Sequence, residues 1–217
     1  MSSPDTPSTD DFGTATLDPT EDVIAGCPGT WRLTYTAGNR GVDPGGRIRV
    51  YSDSDTDRAQ PQFSEPSGPD YTTVSAPEGV QVDALVQPYK TLLLTLHGAP
   101  LRPGDRIVVT YGDTSGGSPG LRAQTFLEDR HNYIVSVSPS AGEPFHQLPD
   151  PPYHAIVGGD IDHLEIVAPS TAVVGRPFRL LVKAEDAWGN PATRYRGRVA
   201  LVCDAVDLPE STVEFTD

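Results

Sequence analysis

The stretch LRPGDRIVVTYGD, Leu101 to Asp113, decides the fold. Pro103 and Gly104 set a turn, since proline pre-sets φ for the first corner and glycine accepts the positive φ after it. Ile107, Val109 and Tyr111 then share one side of a period-two ladder, and Gly112 ends it. That is a half-buried strand bounded by turn residues, and the same grammar recurs on both sides. Trp31, Leu33 and Tyr35 alternate with Arg32, Thr34 and Thr36, and GRIRVY (46–51) repeats the pattern with Ile48 and Val50. YTTVSA (71–76), VQVDALV (80–86), TLLLTLH (91–97) and NYIVSVS (132–138) follow, separated by Pro, Gly and Asp turns. The run Leu92-Leu93-Leu94 predicts a central strand covered on both sides. No long window has apolar residues at helical spacing behind a cap, so helix is expected to be nearly absent. Short strands among 21 glycines and 22 prolines predict an all-β chain built on an antiparallel β-sandwich, without βαβ units.

Two domains are expected within the 217 residues. MSSPDTPSTDDFGTATLDPTE is acidic, rich in Ser and Thr and lacks a basic residue, so residues 1–21 read as a disordered acidic tail. Residues 22–138 form the β-sandwich domain. Residues 139–157 read as a stiff Pro-rich linker, because the prolines of SPSAGEPFHQLPDPPYH remove amide donors from any ladder. Residues 158–217 then read as a partial immunoglobulin-like β domain, shorter than the roughly 100 residues of a full one. In it Phe178, Leu180, Val182 and Ala184 are expected to face inward, with Arg179, Lys183 and Glu185 outward and Trp188-Gly189-Asn190-Pro191 as the closing turn. Strand edges after Val199 to Cys203 would seek missing strands or a second copy, a route to a homo-oligomer.

Sixteen basic residues against thirty acidic ones give a net charge of −14 without a basic stripe, which argues against nucleic acid or an anionic membrane as partner. Only Lys90 and Lys183 are lysines. Cys27 and Cys203 are too few for a disulfide framework, and two reduced thiols are expected. The chain lacks an apolar run long enough for a membrane helix and opens without a signal-peptide pattern, which reads as a soluble protein with the cytoplasm as expected compartment.

YGDTSGGSPGLRAQTFLEDRHNY (111–133) combines glycines with charge, as phosphate loops do, but it has no lysine and no helix pattern after it. It reads as a shaped connection whose glycines supply positive φ and whose charged flank, Arg122 and Glu128 to His131, holds it by hydrogen bonds. Its functional version is a contact surface for a neighbouring domain, with Asp113, Arg122, Glu128, Asp129, Arg130 and His131 as candidate contacts. Asp53, Asp55 and Asp57 of DSDTD mimic the start of a calcium loop, yet the sixth-position glycine and the glutamate at the twelfth, here Ser64, are missing, so a solvated acidic loop is expected. Asp160, Asp162 and His163 are a weaker ion-binding candidate. Ser115 and Ser118 lie among glycines without a nucleophile elbow. Trp31 and Trp188 read as core or turn-packing residues. His97, His131, His146, His154 and His163 are scattered, with no metal-ligand spacing. No catalytic, cofactor-binding or metal residue is therefore assigned, and no cofactor is expected.

APSTAVVGRPFRLLVKAEDAWGNPATRYRGRVAL (168–201) resembles the immunoglobulin-like modules of bacterial multidomain proteins. TWRLTYTAG (30–38), YGDTSGGSPGLRAQTFLEDR (111–130) and LPDPP (148–152), in this order ahead of that module, resemble the N-terminal region of the bacterial domain-of-unknown-function family 3604. Members of that family are longer, and their C-terminal part resembles a PHP-type metal-dependent hydrolase opened by an Asp-Leu-His-Gly type motif, which this chain lacks. The resemblance implies a non-catalytic accessory region that docks on or orients a hydrolase-like domain, its expected partner. The alternative is a stand-alone immunoglobulin-like interaction or cell-envelope protein.

Overall fold

The computed structural model describes residues 9–52, 55–208 and 210–216. Two compact units form, Met1–Ile156 and Val157–Asp217. Along the first unit run α1 (Thr9–Phe12), β1 (Thr14–Asp18), β2 (Val23–Ile24), β3 (Pro28–Gly29), β4 (Trp31–Thr36), β5 (Arg47–Tyr51), β6 (Thr72–Ser75), β7 (Val80–Gln87) and β8 (Thr91–Gly98). There follow β9 (Arg106–Tyr111), β10 (Leu121–Arg122), β11 (Glu128–Asn132), β12 (Ile134–Ser138), β13 (His146–Gln147) and β14 (Tyr153–Val157). The described helix is one turn of α1 and two 3-10 turns, so the all-β expectation holds.

An antiparallel four-stranded sheet runs β1-β4-β9-β6, and a five-stranded one runs β13-β12-β5-β8-β7. Buried residues meet in register: Trp31, Leu33 and Tyr35 oppose Tyr111, Val109 and Ile107. In the other sheet Ile48 lies between Leu94 and Val137, and Val50 between Leu92 and Val135. These rows from both sheets join one apolar core, which makes the unit a β-sandwich. Each fully buried side chain of this kind contributes about 1.5 to 3 kcal/mol. Small ribbons, β11-β14-β2 and β10-β3, stand beside the two main sheets.

Three expectations for this unit need correction. The tail does not extend to residue 21: β1 pairs with β4, Phe12 and Leu17 are buried, and the Tyr35 hydroxyl donates to the Phe12 carbonyl at 2.8 Å. Residues 1–8 of that stretch lie outside the described residues. Averaged composition concealed a short alternating segment, Thr14 to Asp18, that covers the edge of β4. Nor is 139–157 a linker. It contributes β13 and β14, and Leu148 is buried with its amide donating to the Val135 carbonyl. The prolines flank the paired segments 146–148 and 153–157 without interrupting them, so the ladder keeps its donors. Finally, β8 is central, but Leu92, Leu94 and Leu96 are buried while Leu93 is only half-buried, so one face alone meets the core.

The second unit holds β15 (His163–Val167) paired antiparallel with β16 (Leu181–Glu185), and β17 (Gly197–Ala200) paired with β18 (Thr212–Phe215). Phe178 and Leu181 are exposed, Ala184 is buried, and Glu185, expected outside, is buried as well. The segment after Val199 finds one partner within the chain, because β18 pairs with β17. The predicted closing turn is present. The Asp186 carboxylate accepts from the amides of Trp188 and Asn190, each at 2.9 Å, and Gly189 takes φ +83°.

Candidate functional site

Eleven of the residues between Tyr111 and Tyr133 belong to no β-strand or helix, and their path is set by a backbone crossing. Gly112 and Gly120 have φ of +65° and +109°, and both lie against Gly29 of β3. A Cβ on Gly112 would meet the Gly29 oxygen at 2.2 Å and the Leu121 nitrogen at 2.3 Å. Only glycine fits such an approach. Asp113 caps the short 3-10 turn Thr114–Gly116: its carboxylate accepts from the Thr73 hydroxyl at 2.6 Å and the Ser115 amide at 2.9 Å. Those bonds, Thr73 first, hold its pKa below the ordinary carboxylate value.

Arg122 donates to the carbonyls of Asp57 (2.7 Å) and Ala123 (3.1 Å), and its amide donates to the Asp70 carboxylate at 3.0 Å. Asp57 in turn accepts from the Thr125 amide and hydroxyl at 2.8 and 2.7 Å. Burial raises the Asp57 pKa, but the Thr125 bonds and the charges of Arg122 and Lys90 outweigh it, so the group stays low. The acidic loop thus acts as a latch for the 111–131 segment. Asp53, the first member of the calcium-like pattern, lies outside the described residues.

The remaining contact candidates divide by depth. Glu128 accepts from Gln124 Nε2 at 2.9 Å and sits 2.7 Å from His131 Nδ1, and His131 is buried. Asp129 and Arg130 are exposed. The Arg130 guanidinium lies 4.1 Å over the Tyr153 ring and donates to the Asn132 side chain. Phe126 and Leu127, which sequence reasoning did not single out, are each 40% exposed. Phe126, Leu127 and the Arg130–Tyr153 stack are therefore the accessible large apolar and aromatic groups at this end of the segment.

Beneath it lies a buried polar cluster absent from the sequence expectations. The His131 and His154 rings stack at 5.6 Å, and Tyr133 stands edge-on to both at 5.5 Å. Trp31 packs on His154 at 5.4 Å and Tyr111 on Tyr133 at 5.8 Å. The Arg58 guanidinium covers the Tyr111 and Tyr133 rings at 5.2 and 5.3 Å. Burial, the neighbouring His131 and the Arg58 charge push the His154 pKa down to about 3, so this imidazole is neutral at pH 7. Burial raises the hydroxyls of Tyr111 and Tyr133 despite the opposing charge of Arg58.

In the second unit, Asp186 accepts from four donors, Gly159 N, Trp188 N, Asn190 N and Asn190 Nδ2, at 2.9 to 3.0 Å. An open cleft of about 250 Å³ is lined by Lys183, Glu185, Tyr195, Arg196 and Phe215 among others. Lys183 pairs with Glu185 and, at 3.0 Å, with Glu165; these bonds raise its pKa, Glu185 first. His163 sits 3.2 Å from Asp162 and 3.5 Å from Glu185, while Asp160 pairs with Arg194 at 3.5 Å, so the acidic candidates here face a cationic or histidine partner and the histidine faces carboxylates. Among the described residues no group of three or more His, Cys, Asp or Glu side chains is arranged to hold a metal ion. None of the described helices is long and apolar enough to cross a membrane. Cys27 and Cys203 are exposed free thiols, Trp31 is core, and Trp188 is half exposed. No protein-family model matches the chain, and no curated protein matches it in sequence.

Proposed function

We propose that this chain is a non-catalytic accessory region that docks on and orients a metal-dependent hydrolase-like domain, as the resemblance to family 3604 implies. One observation carries the contact: Phe126, Leu127 and Arg130, the last stacked on Tyr153, lie exposed within five consecutive residues of a segment whose base is pinned by the glycine crossing and the Asp57 latch. Aromatic, aliphatic and arginine side chains on a pre-ordered loop have the composition of an interface centre. The polar members support this reading from below. Asp113, Arg122, Glu128 and His131 hold the loop in shape, leaving Asp129 and Arg130 to face a partner.

The test is binding of the full chain to a purified PHP-type hydrolase domain, measured by interferometry. The double variant Phe126→Ser/Leu127→Ser is expected to weaken association at least about tenfold, as loss of a hot-spot pair does. Equal binding by the variant, or none by the wild type, overturns the proposal. The exposed β15 ribbon favours a second reading as a stand-alone immunoglobulin-like interaction module, to which the latter result would point.

A further inference from the structure

Arg58 is only 5% exposed, yet among the described residues its charge forms no ion pair with a carboxylate. Its Nε and Nη1 are buried and make no hydrogen bond of normal geometry, and neither does the hydroxyl of Tyr133, itself 2% exposed, which lies close enough to feel the Arg58 side chain. The adjacent carboxylate, Asp57, is engaged by Thr125 and by Arg122, whose guanidinium lies 3.7 Å away. Asp70 is engaged by the Arg122 amide. Glu128 faces His131 and Gln124. Further positive charge stands close: burial lowers the pKa of Lys90, which donates to the Thr56 carbonyl, and the charges of Arg58 and Arg122 add to that shift against the opposing Asp57 carboxylate. A chain with a net charge of −14 thus concentrates unpaired cationic character at one buried point.

The two tyrosine faces offset part of the cost of burying that guanidinium through cation–π attraction. They leave its edge unsatisfied, and an uncompensated buried ion is expensive. What remains is a set of donors, the N–H groups of Arg58 Nε and Nη1 and the Tyr133 O–H, beside an unbalanced positive charge. A guest that only accepts hydrogen bonds and carries one negative charge meets both needs, whereas water meets only the first. The guanidinium lies 5.2 and 5.3 Å from the Tyr111 and Tyr133 ring centroids, themselves 5.8 Å apart, and packing this close at its faces limits a guest at its edge to single-atom size.

We propose that Arg58 and Tyr133 hold one buried monovalent anion of chloride size, a structural ligand of the first unit. The site is independent of the exposed contact surface, so either proposal survives failure of the other. Crystals of the full chain soaked in sodium bromide test it directly. An anomalous bromine peak is expected in contact with Arg58 Nη1 and the Tyr133 hydroxyl. In solution, replacing gluconate by chloride at fixed ionic strength should raise the Tm by about 3 to 6 °C once chloride reaches roughly tenfold its dissociation constant. Arg58→Met should abolish that response. A bromine-free site with density refining as water, or a chloride response retained in full by Arg58→Met, overturns the proposal; if that variant fails to fold, the bromide experiment on the wild type decides.

Discussion

His154 is held neutral inside the first unit, and its titration has a definite sign. The folded imidazole titrates at about 3 and the unfolded one near 6.5. Between those values the unfolded chain binds a proton that the folded chain refuses, so this contribution is complete above pH 6.5 and declines as pH falls. The folding constant should drop up to about tenfold per pH unit through that window. His154→Phe is expected to flatten the acid limb by one proton, read from urea midpoints between about pH 6.5 and pH 4. Gly112→Ala should destabilise by about 2 kcal/mol or more, because it combines a left-handed φ with an overlap against Gly29, and thermal melts will report it. The positive φ at Gly112 was legible in YGDTSGG, since turn glycines announce themselves locally. His154 and Arg58 were not: His154 stands among prolines and Arg58 beside an acidic run, and only tertiary packing brings them to Tyr133.

Elements with a clean period of two were read correctly: β4, β5 and β9 bury the alternating residues expected of them. The misread elements, β1, β13 and β14, are at most five residues long and embedded in biased composition, where averaging over a window erases a short alternation. β1 offers a sharp check. Leu17→Ala should cost about 2 to 4 kcal/mol by chemical denaturation if this strand is part of the core, and nearly nothing if residues 14–18 were a free tail. The turn after β16 is equally testable. Asp186→Ala removes four hydrogen bonds at once and should cost the second unit about 3 kcal/mol or more, whereas Asp186→Asn should recover part of that loss.

At the scale of the whole molecule, the two units differ in what holds them. The first is built on a continuous apolar core, while the buried apolar side chains described in the second are Ala184 and Ala192. Calorimetry is therefore expected to resolve two transitions, the second unit melting first, with Asp186→Ala shifting only the lower one. The two-unit β organisation was visible in the sequence, with the second unit starting near residue 158, but the strands within 139–157 were not, because prolines that frame strands look the same in one dimension as prolines that space domains. β15 has a further consequence. All five of its residues are exposed, Leu164, Ile166 and Val167 among them, so its surface offers neighbouring copies an adhesive stripe. The surplus of carboxylates across the chain then acts as a colloidal stabiliser, and acidification or concentrated salt, by muting that long-range repulsion, would turn a dispersed solution turbid before either unit lost its shape.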